Sequence, residues 1–308
     1  MKDKNILIAG GAGFIGTNLF LRWIKDNKIT IIDNLSSSKE KHIWYDYKNW
    51  IFIKGDICKD IDLIKNKYDI IVNLACMASP KWYQSDPVAT MDTCYIGTKN
   101  LLNLMDKDTI FLQASTSEIY GDPEISPQKE DYRGNTNCFG PRACYDEGKR
   151  IAETLCYEKL MQGYKVNIVR IFNTYGPWMD PDDGRVISNI LMQMIKREPI
   201  TIYGDGSQTR SFQYIDDLLD GFEAVIEKNY GSPINIGNPD EFTIKELVDI
   251  VIKKWGYEGY PITYEPLPIN DPKQRRPNIT LANELLGFSP KVKLNEGLEY
   301  TYKYFNSL

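Results

Sequence analysis

The chain holds one histidine, His42, in 308 residues, so a His-based catalytic triad or a multi-histidine metal site would need partners that do not exist. His42 follows Lys41 in a polar stretch and reads as a solvated loop residue. Acid and base work therefore falls to Tyr, Lys, Asp and Glu. No C-x-x-C pair joins the six cysteines Cys58, Cys76, Cys94, Cys138, Cys144 and Cys156, which read as reduced, non-ligating thiols. Long hydrophobic runs are missing too: after Met1-Lys2-Asp3-Lys4 the first apolar stretch spans only Ile6 to Ala9 before glycines begin. That is far short of a signal-peptide core or a membrane span, so a cytoplasmic protein without a membrane partner is expected. Nor is there an excess of positive charge. Lys and Arg number 37 against 42 Asp and Glu, a net charge of −5, which leaves no basic field for a nucleic-acid backbone. An anionic ligand must be met by a few local Arg or Lys residues and by backbone N–H groups.

What is present belongs to an ordinary globular protein: 42% hydrophobic residues, with 20 Tyr and 11 Phe, exclude a disordered chain. At roughly 150 residues per domain the length allows about two domains. Asn5-Ile-Leu-Ile-Ala9 is a continuous apolar run of buried-strand length, ending in Gly10-Gly-Ala-Gly-Phe-Ile-Gly16 and an amphipathic stretch to about Asp26. That pattern reads strand, glycine turn, helix. Further apolar strands are predicted at Ile29 to Asp33, Ile51 to Ile53, Ile70 to Leu74, Ile110 to Ala114 and Val166 to Ile171, with helical patterns between them. The alternation implies an α/β fold, a Rossmann-type doubly wound parallel sheet whose ligands sit at the carboxyl ends of its strands. After about Ile171 the rhythm breaks at Gly176-Pro177, Pro181, Gly184, Gly204 and Gly206. Helices near Ile187 to Lys196 and Ile244 to Trp255, with a Pro-rich connection from Pro261 to Pro277, predict a smaller, mixed carboxyl-terminal substrate lobe. The expected division is 1–172 for a dinucleotide domain, with a return segment about 213–237, and 173–212 with 238–308 for the lobe.

Gly11-Ala-Gly13-Phe-Ile-Gly16 satisfies G-x-G-x-x-G, and Gly10, Gly13 and Gly16 also satisfy G-x-x-G-x-x-G. Glycine there permits a tight turn, close approach of backbone N–H groups to a pyrophosphate, and helix-to-strand packing. The motif follows a strand, opens a helix and precedes Asp33, where a carboxylate can bind a ribose diol and disfavours a 2′-phosphate. NAD is therefore the expected cofactor. Asp56, at a later strand end, is placed to meet the adenine or simply to cap a turn. Tyr145 and Lys149 form Y-x-x-x-K in a helical pattern from Arg142 to Met161, so both share one face. A neighbouring ammonium favours the phenolate and lowers the Tyr pKa, which suits proton abstraction from a sugar hydroxyl during hydride transfer. Beyond the strand Ile110 to Ala114 stand Ser115-Thr-Ser-Glu118, able to hold a substrate oxygen and supply a second acid or base. Arg275-Arg-Pro277 can bring a guanidinium to an anionic sugar or carboxylate, or form a surface pair.

These residues resemble the extended short-chain dehydrogenase/reductase, or NAD-dependent epimerase/dehydratase, family acting on nucleotide sugars. Within it the likeness is greatest to the UDP-glucuronate decarboxylases, or UDP-xylose synthases. It is carried by Ala114-Ser-Thr-Ser-Glu-Ile-Tyr-Gly-Asp-Pro-Glu124, Gly140-Pro-Arg-Ala-Cys-Tyr-Asp-Glu-Gly-Lys-Arg150, Ile171-Phe-Asn-Thr-Tyr-Gly-Pro177, Asp183-Gly-Arg-Val186, Gly206-Ser-Gln-Thr-Arg-Ser-Phe-Gln-Tyr214 and Asp271-Pro-Lys-Gln-Arg-Arg-Pro277. The resemblance implies that Tyr145 and Lys149 are the oxidation pair, that Thr116 holds the C4 oxygen, and that Glu118 with Arg275 works near C5 and its carboxylate. Ser117 discriminates, because related dehydratases place Asp before the Glu and 4-epimerases typically lack the Glu. The implied substrate contacts are Asn173 and Arg210 at the diphosphate and Tyr203 near the nucleotide, with Lys81 and Tyr83 facing the cleft. The implied cofactor contacts include Thr174 and Arg185, and the strand-end set extends to Phe14, Ile15, Asn34, Ile57, Leu74 and Ala75. Cys94 departs from the family's usual Asn, Lys81 from the decarboxylases' Pro, and Trp178 and Asp180 from residues often basic or His. A homodimer is the family expectation.

The implied reaction oxidises C4 to a ketone β to the C6 carboxylate, loses CO2, and returns hydride to give UDP-xylose with NAD regenerated. Glu118 or a positioned water reprotonates C5. The alternatives are a 4,6-dehydratase or 4-epimerase on the same scaffold and a non-catalytic dinucleotide sensor. The sensor's mark would be loss of Tyr or Lys from the pair, and both are present.

Overall fold

The computed structural model describes residues 1–39, 42–267 and 274–308. The side chain of His42 and residues Asp271 to Lys273 of the family-like motif lie outside what is described. In the first half the strands are β1 (Asn5–Ala9), β2 (Lys28–Asp33), β3 (Trp50–Lys54), β4 (Ile70–Asn73), β5 (Ile110–Thr116) and β6 (Lys165–Ile171). They are followed by β7 (Thr174–Tyr175), β8 (Ile200–Tyr203), β9 (Thr209–Ser211), β10 (Gln213–Tyr214), β11 (Pro233–Ile236), β12 (Glu241–Thr243), β13 (Ile262–Glu265) and β14 (Gln274–Arg275). Seven of them form the central sheet in the order β11-β6-β5-β4-β1-β2-β3, with every pair parallel. The fold is thus a doubly wound, Rossmann-like α/β sheet.

Both faces of this sheet are covered, which is why its strands are continuous Ile/Leu/Val runs rather than alternating ones. Along β1, Ile6 and Ile8 join a core with Leu19, Phe20 and Trp23 of the helix Phe14–Trp23. Leu7 and Ala9 point the other way, into a core with Leu101, Leu102 and Cys156. Burying each such large aliphatic side chain stabilises the sandwich by roughly 1.5–3 kcal/mol. After β6 the chain leaves the sheet, then re-enters it through the helix Ile215–Lys228 and β11, which pairs with β6.

Two expectations are corrected. The strand expected to stop at Ala114 runs on to Thr116, because Ser115 and Thr116 still pair with Arg170 and Ile171 of β6. The segment Pro261 to Pro277 is more than a connection. Its prolines flank the β-branched and aromatic run Ile262-Thr-Tyr-Glu265, which pairs in parallel with β8, while β14 adds to β9 beside β12. That last pairing sets Arg275 opposite Arg210.

Candidate active site

A cavity of about 1000 Å³ opens over the carboxyl ends of β1, β4, β5 and β6, where open α/β sheets present their ligands. Its floor begins at the glycine turn. Gly10 has φ +76°, and a Cβ there would stand 2.7 Å from the backbone nitrogen of Ala75, so only glycine lets β1 turn under the end of β4. Gly13 precedes the helix Phe14–Trp23 with no side-chain cap, and a Cβ on it would meet just one atom, the Gly10 carbonyl oxygen at 3.4 Å. The uncapped helix start and the open cradle above it fit a pyrophosphate.

Of the expected cofactor residues, Gly10, Gly13, Phe14, Ile15, Gly16, Leu74, Thr174 and Arg185 line the cavity with Tyr145 and Lys149. Five others stand back from the wall. Asp33 uses its carboxylate to hold the turn, accepting from the backbone N–H of Ala12 at 3.0 Å and of Leu35 at 2.8 Å. Asn34 accepts from the Ser36 N–H, and Asp56 accepts from the Cys58 N–H in the same kind of local turn, so the capping reading of Asp56 is the one the geometry displays. Ile57 is buried under Gly97, and Ala75 is packed on Gly10. The wall beside the glycine turn is instead made by Ser36, Ser37, Ser38 and Lys39, which sequence reasoning missed although they follow Asp33 directly.

Tyr145 and Lys149 sit on the buried face of the helix Ala143–Met161. Lys149 donates to the Ala114 carbonyl at 2.9 Å and its Nζ lies 5.8 Å from the centre of the Tyr145 ring, which stacks on Tyr83 at 5.2 Å. Burial pushes the Tyr145 phenol up to about 12, against the pull of Lys149 and a hydrogen bond with Thr116. The expected net lowering therefore does not occur: in the dry cavity wall desolvation outweighs the ammonium, which limits the rise. Lys149 stays charged, because Cys76, Tyr145 and other neighbours overcome the burial that opposes its charge.

The 3-10 turn Ser117–Tyr120 follows β5 and is capped by Thr116, whose hydroxyl accepts from the Glu118 N–H at 3.2 Å. This turn delivers Glu118 between two arginines, Arg275 at 2.6 Å and Arg142 at 2.5 Å. Burial would raise the carboxyl, but Arg275 and Arg142 overcome it and hold it near 2. Glu118 is thus a carboxylate at neutral pH, which favours the positioned water of the two C5 proton donors that the resemblance implies. Arg275 is 2% exposed and also donates to the Ser117 hydroxyl at 3.3 Å and the Gly121 carbonyl at 2.9 Å, so it is no surface residue. Arg142, which lies in the Gly140–Arg150 motif and was not expected at the site, is the second clamp. Asp146, one turn away, is pushed up to about 7 by burial and then by Glu118.

Asn173, Tyr203 and Arg210 reach the same cavity from the segments after β6, on β8 and on β9. Lys81 does not. Its ammonium donates to the Asp182 carbonyl at 3.2 Å and lies over the Trp82 ring, tying the short helix Pro80–Tyr83 to the Asp182 turn outside the wall. Two buried groups on that wall, the Tyr83 hydroxyl and Arg275 Nε, find no hydrogen-bond partner among the described residues. Both are donors, and buried donors of this kind call for an acceptor.

The NAD dependent epimerase/dehydratase family model matches residues 6–237, spanning the glycine turn, Tyr145 and Lys149, and β11. The chain belongs to this family. The UDP-glucuronic acid decarboxylase 1 of Danio rerio is 44% identical over 308 residues, covering 98% of this chain and 73% of that protein. The UDP-glucuronic acid decarboxylase 1 of Arabidopsis thaliana is 45% identical over 302 residues, covering 96% of this chain and 68% of that protein. A solved UDP-glucuronic acid 4-epimerase from Bacillus cereus, in complex with UDP-glucuronic acid and NAD, superposes with a TM-score of 0.88 at 28% identity, covering 98% of this chain and 99% of that one. As a family member this protein is a NAD-dependent enzyme. No helix among its described residues is long and apolar enough to cross a membrane.

Proposed function

We propose that the protein decarboxylates UDP-glucuronate and reduces the resulting 4-ketone to UDP-xylose. The observation that carries this reading is the clamp of Glu118 between Arg275 and Arg142 on the cavity wall that also carries Tyr145 and Lys149. The two arginines around one glutamate leave that corner positive by one charge when Asp146 is protonated, which favours an acidic sugar. The 44% and 45% identity to named decarboxylases supports the same assignment. The solved epimerase, at 28% identity, keeps UDP-glucuronate 4-epimerisation as the second reading.

In this reading residues 1–172 and the return through β11 hold the cofactor, and the remaining segments hold the nucleotide sugar. The glycine turn and the uncapped helix start hold the pyrophosphate, with Asp33 at the ribose and Asn34, Asp56, Ile57 and Ala75 supporting that end. Thr174 and Arg185 complete the cofactor contacts. When bound, NAD would supply the acceptor for the C4 hydride and the donor for its return, so none would be consumed. Thr116 orients the C4 hydroxyl, and the deprotonated fraction of Tyr145, which the Lys149 ammonium favours against burial, accepts its proton. The ketone so formed receives the electron pair released as CO2 leaves C5. Arg275 then loses its carboxylate partner, Glu118 holds both guanidinium groups in place, and a water gives C5 its proton. Arg210 and Asn173 bind the diphosphate, with Tyr203 at the nucleotide. Ser117 fills with a small hydroxyl, bonded to Arg275, the position where an acid would drive dehydration.

Purified protein given UDP-glucuronate and catalytic NAD is expected to release CO2 and form UDP-xylose with no net NADH, followed by NMR. CO2 with accumulating NADH would place the ketopentose as the product, and epimerisation alone would overturn decarboxylation. We also propose a homodimer in the cytoplasm. Exposed Met91, Tyr95 and Ile96 beside Tyr157 and Met161 of the Tyr145 helix provide an apolar face, and six free cysteines suit a reducing compartment. Sedimentation as a monomer at micromolar concentration would remove the dimer, and cell fractionation tests the compartment.

A further inference from the structure

Cys76 and Cys94 lie 18 positions apart in segments that share no motif, yet their Sγ atoms are 3.5 Å apart. Cys76 follows the end of β4 and lines the cavity. Cys94 is buried in a π-helical turn, Thr93–Gly97, set between two short helices. It packs on Gly148, where an added Cβ would meet its Sγ at 3.1 Å. The next residue on that helix is Lys149, whose charge acts on both thiols. We propose that Cys76 and Cys94 are a reversible oxidation site, closing to a disulfide when a hydroperoxide enters the cavity and switching off the neighbouring Tyr145–Lys149 pair.

The chemistry balances with the peroxide as oxidant. The Cys76 thiolate attacks one peroxide oxygen, breaking the O–O bond and giving a sulfenic acid and hydroxide. Cys94 sulfur then displaces the sulfenic hydroxyl, forming the S–S bond. Two thiols and one hydrogen peroxide become one disulfide and two waters, and a dithiol reductant reverses it. A disulfide needs about 2.0 Å between sulfurs, so the gap to close is small. The Cys76 thiol is pulled down to about 7 by its hydrogen bond with Cys94 and by Lys149, against burial, which makes it the attacking thiol at neutral pH. Elsewhere burial raises the thiols of Cys58, Cys144 and Cys156. Cys144 is held by the Tyr83 carbonyl at 3.5 Å. Closure removes the negative partner that faces Lys149 and draws the end of β4 toward the π turn, moving one wall of the cavity.

This site is independent of which sugar the protein takes, because its first readout is the cross-link itself. Reduced full-length protein would be treated with graded hydrogen peroxide, alkylated and mapped by peptide mass spectrometry, with NAD binding followed by calorimetry. The expected result is a linked Cys76–Cys94 peptide, two hydrogens lighter than the separate pair, appearing as NAD affinity or turnover falls about tenfold or more. Dithiothreitol restores both. Cys94→Ser, at a residue outside the proposed catalytic set, is expected to keep basal turnover, form no link, and carry Cys76 on to irreversible sulfinic acid. If that variant misfolds by circular dichroism, the wild-type peptide map decides alone. A Cys76–Cys144 link, oxidation confined to exposed Cys138, or a full Cys76–Cys94 link with NAD binding and turnover unchanged would overturn the proposal.

Discussion

Tyr145→Phe is expected to lower turnover by roughly 10²–10⁴-fold, the range for losing a positioned acid–base group, while NAD binding and the melting temperature stay unchanged. The argument rests on what the substitution leaves in place. The ring remains stacked on Tyr83, and Lys149 keeps its bond to the Ala114 carbonyl. Only the phenolic oxygen goes, and with it the group proposed to take the C4 proton. A non-catalytic dinucleotide sensor predicts a different outcome, since neither its ligand affinity nor any turnover depends on that oxygen. Steady-state kinetics beside cofactor titration separates the two, and turnover within a few-fold of wild type would remove Tyr145 from the chemistry.

Arg275→Met carries the second large effect, and it falls on stability and activity together. The guanidinium is buried against Glu118, Ser117 and Gly121. Methionine fills much of the volume but leaves Glu118 with Arg142 alone, and breaking a buried pair this way typically costs about 3–5 kcal/mol. The pH dependence has a definite sign. Glu118 has its pKa held near 2 in the folded protein, below its ordinary 4.5. It therefore contributes stability that is complete above pH 4.5 and lost as pH falls toward 2, worth roughly 3 kcal/mol at 1.36 kcal/mol per unit. Without Arg275 that contribution shrinks, so wild type and variant should differ most in urea melts at pH 6–7 and converge toward pH 2–3. A constant gap across that range would mean that packing, not the ion pair, is what the residue supplies. Decarboxylation should fall as well, since the proposed donor to the substrate carboxylate is gone.

Residues that act through near neighbours are legible in the chain. The run Asn5-Ile-Leu-Ile-Ala9, the glycines behind it and the helix after them are determined by strand burial, turn conformation and helix spacing. All three are properties of about twenty consecutive residues. Tyr145 and Lys149 share a face because a helix repeats every 3.6 residues, whatever surrounds it. The likeness to nucleotide-sugar enzymes is legible on the same ground, since its motifs are contiguous.

Long-range encounters decided the rest. Arg275 meets Ser117 across 158 positions, Glu118 is clamped by Arg142 from 24 positions away, and Cys76 reaches Cys94 because β4 ends beside a π turn. Pairing spacing cannot reveal such contacts, which follow from which strands neighbour each other in the sheet. Lys81 shows the converse. Its position in the chain, two residues before Tyr83, places it near the cleft, but its ammonium turns to the Asp182 carbonyl. Protonation was settled in the same way. The sequence named Tyr145 and Glu118 as titratable groups and did not single out Asp146, yet their pKa values move up, down and up. Burial and charge partners set those directions, and both exist only once the chain has folded.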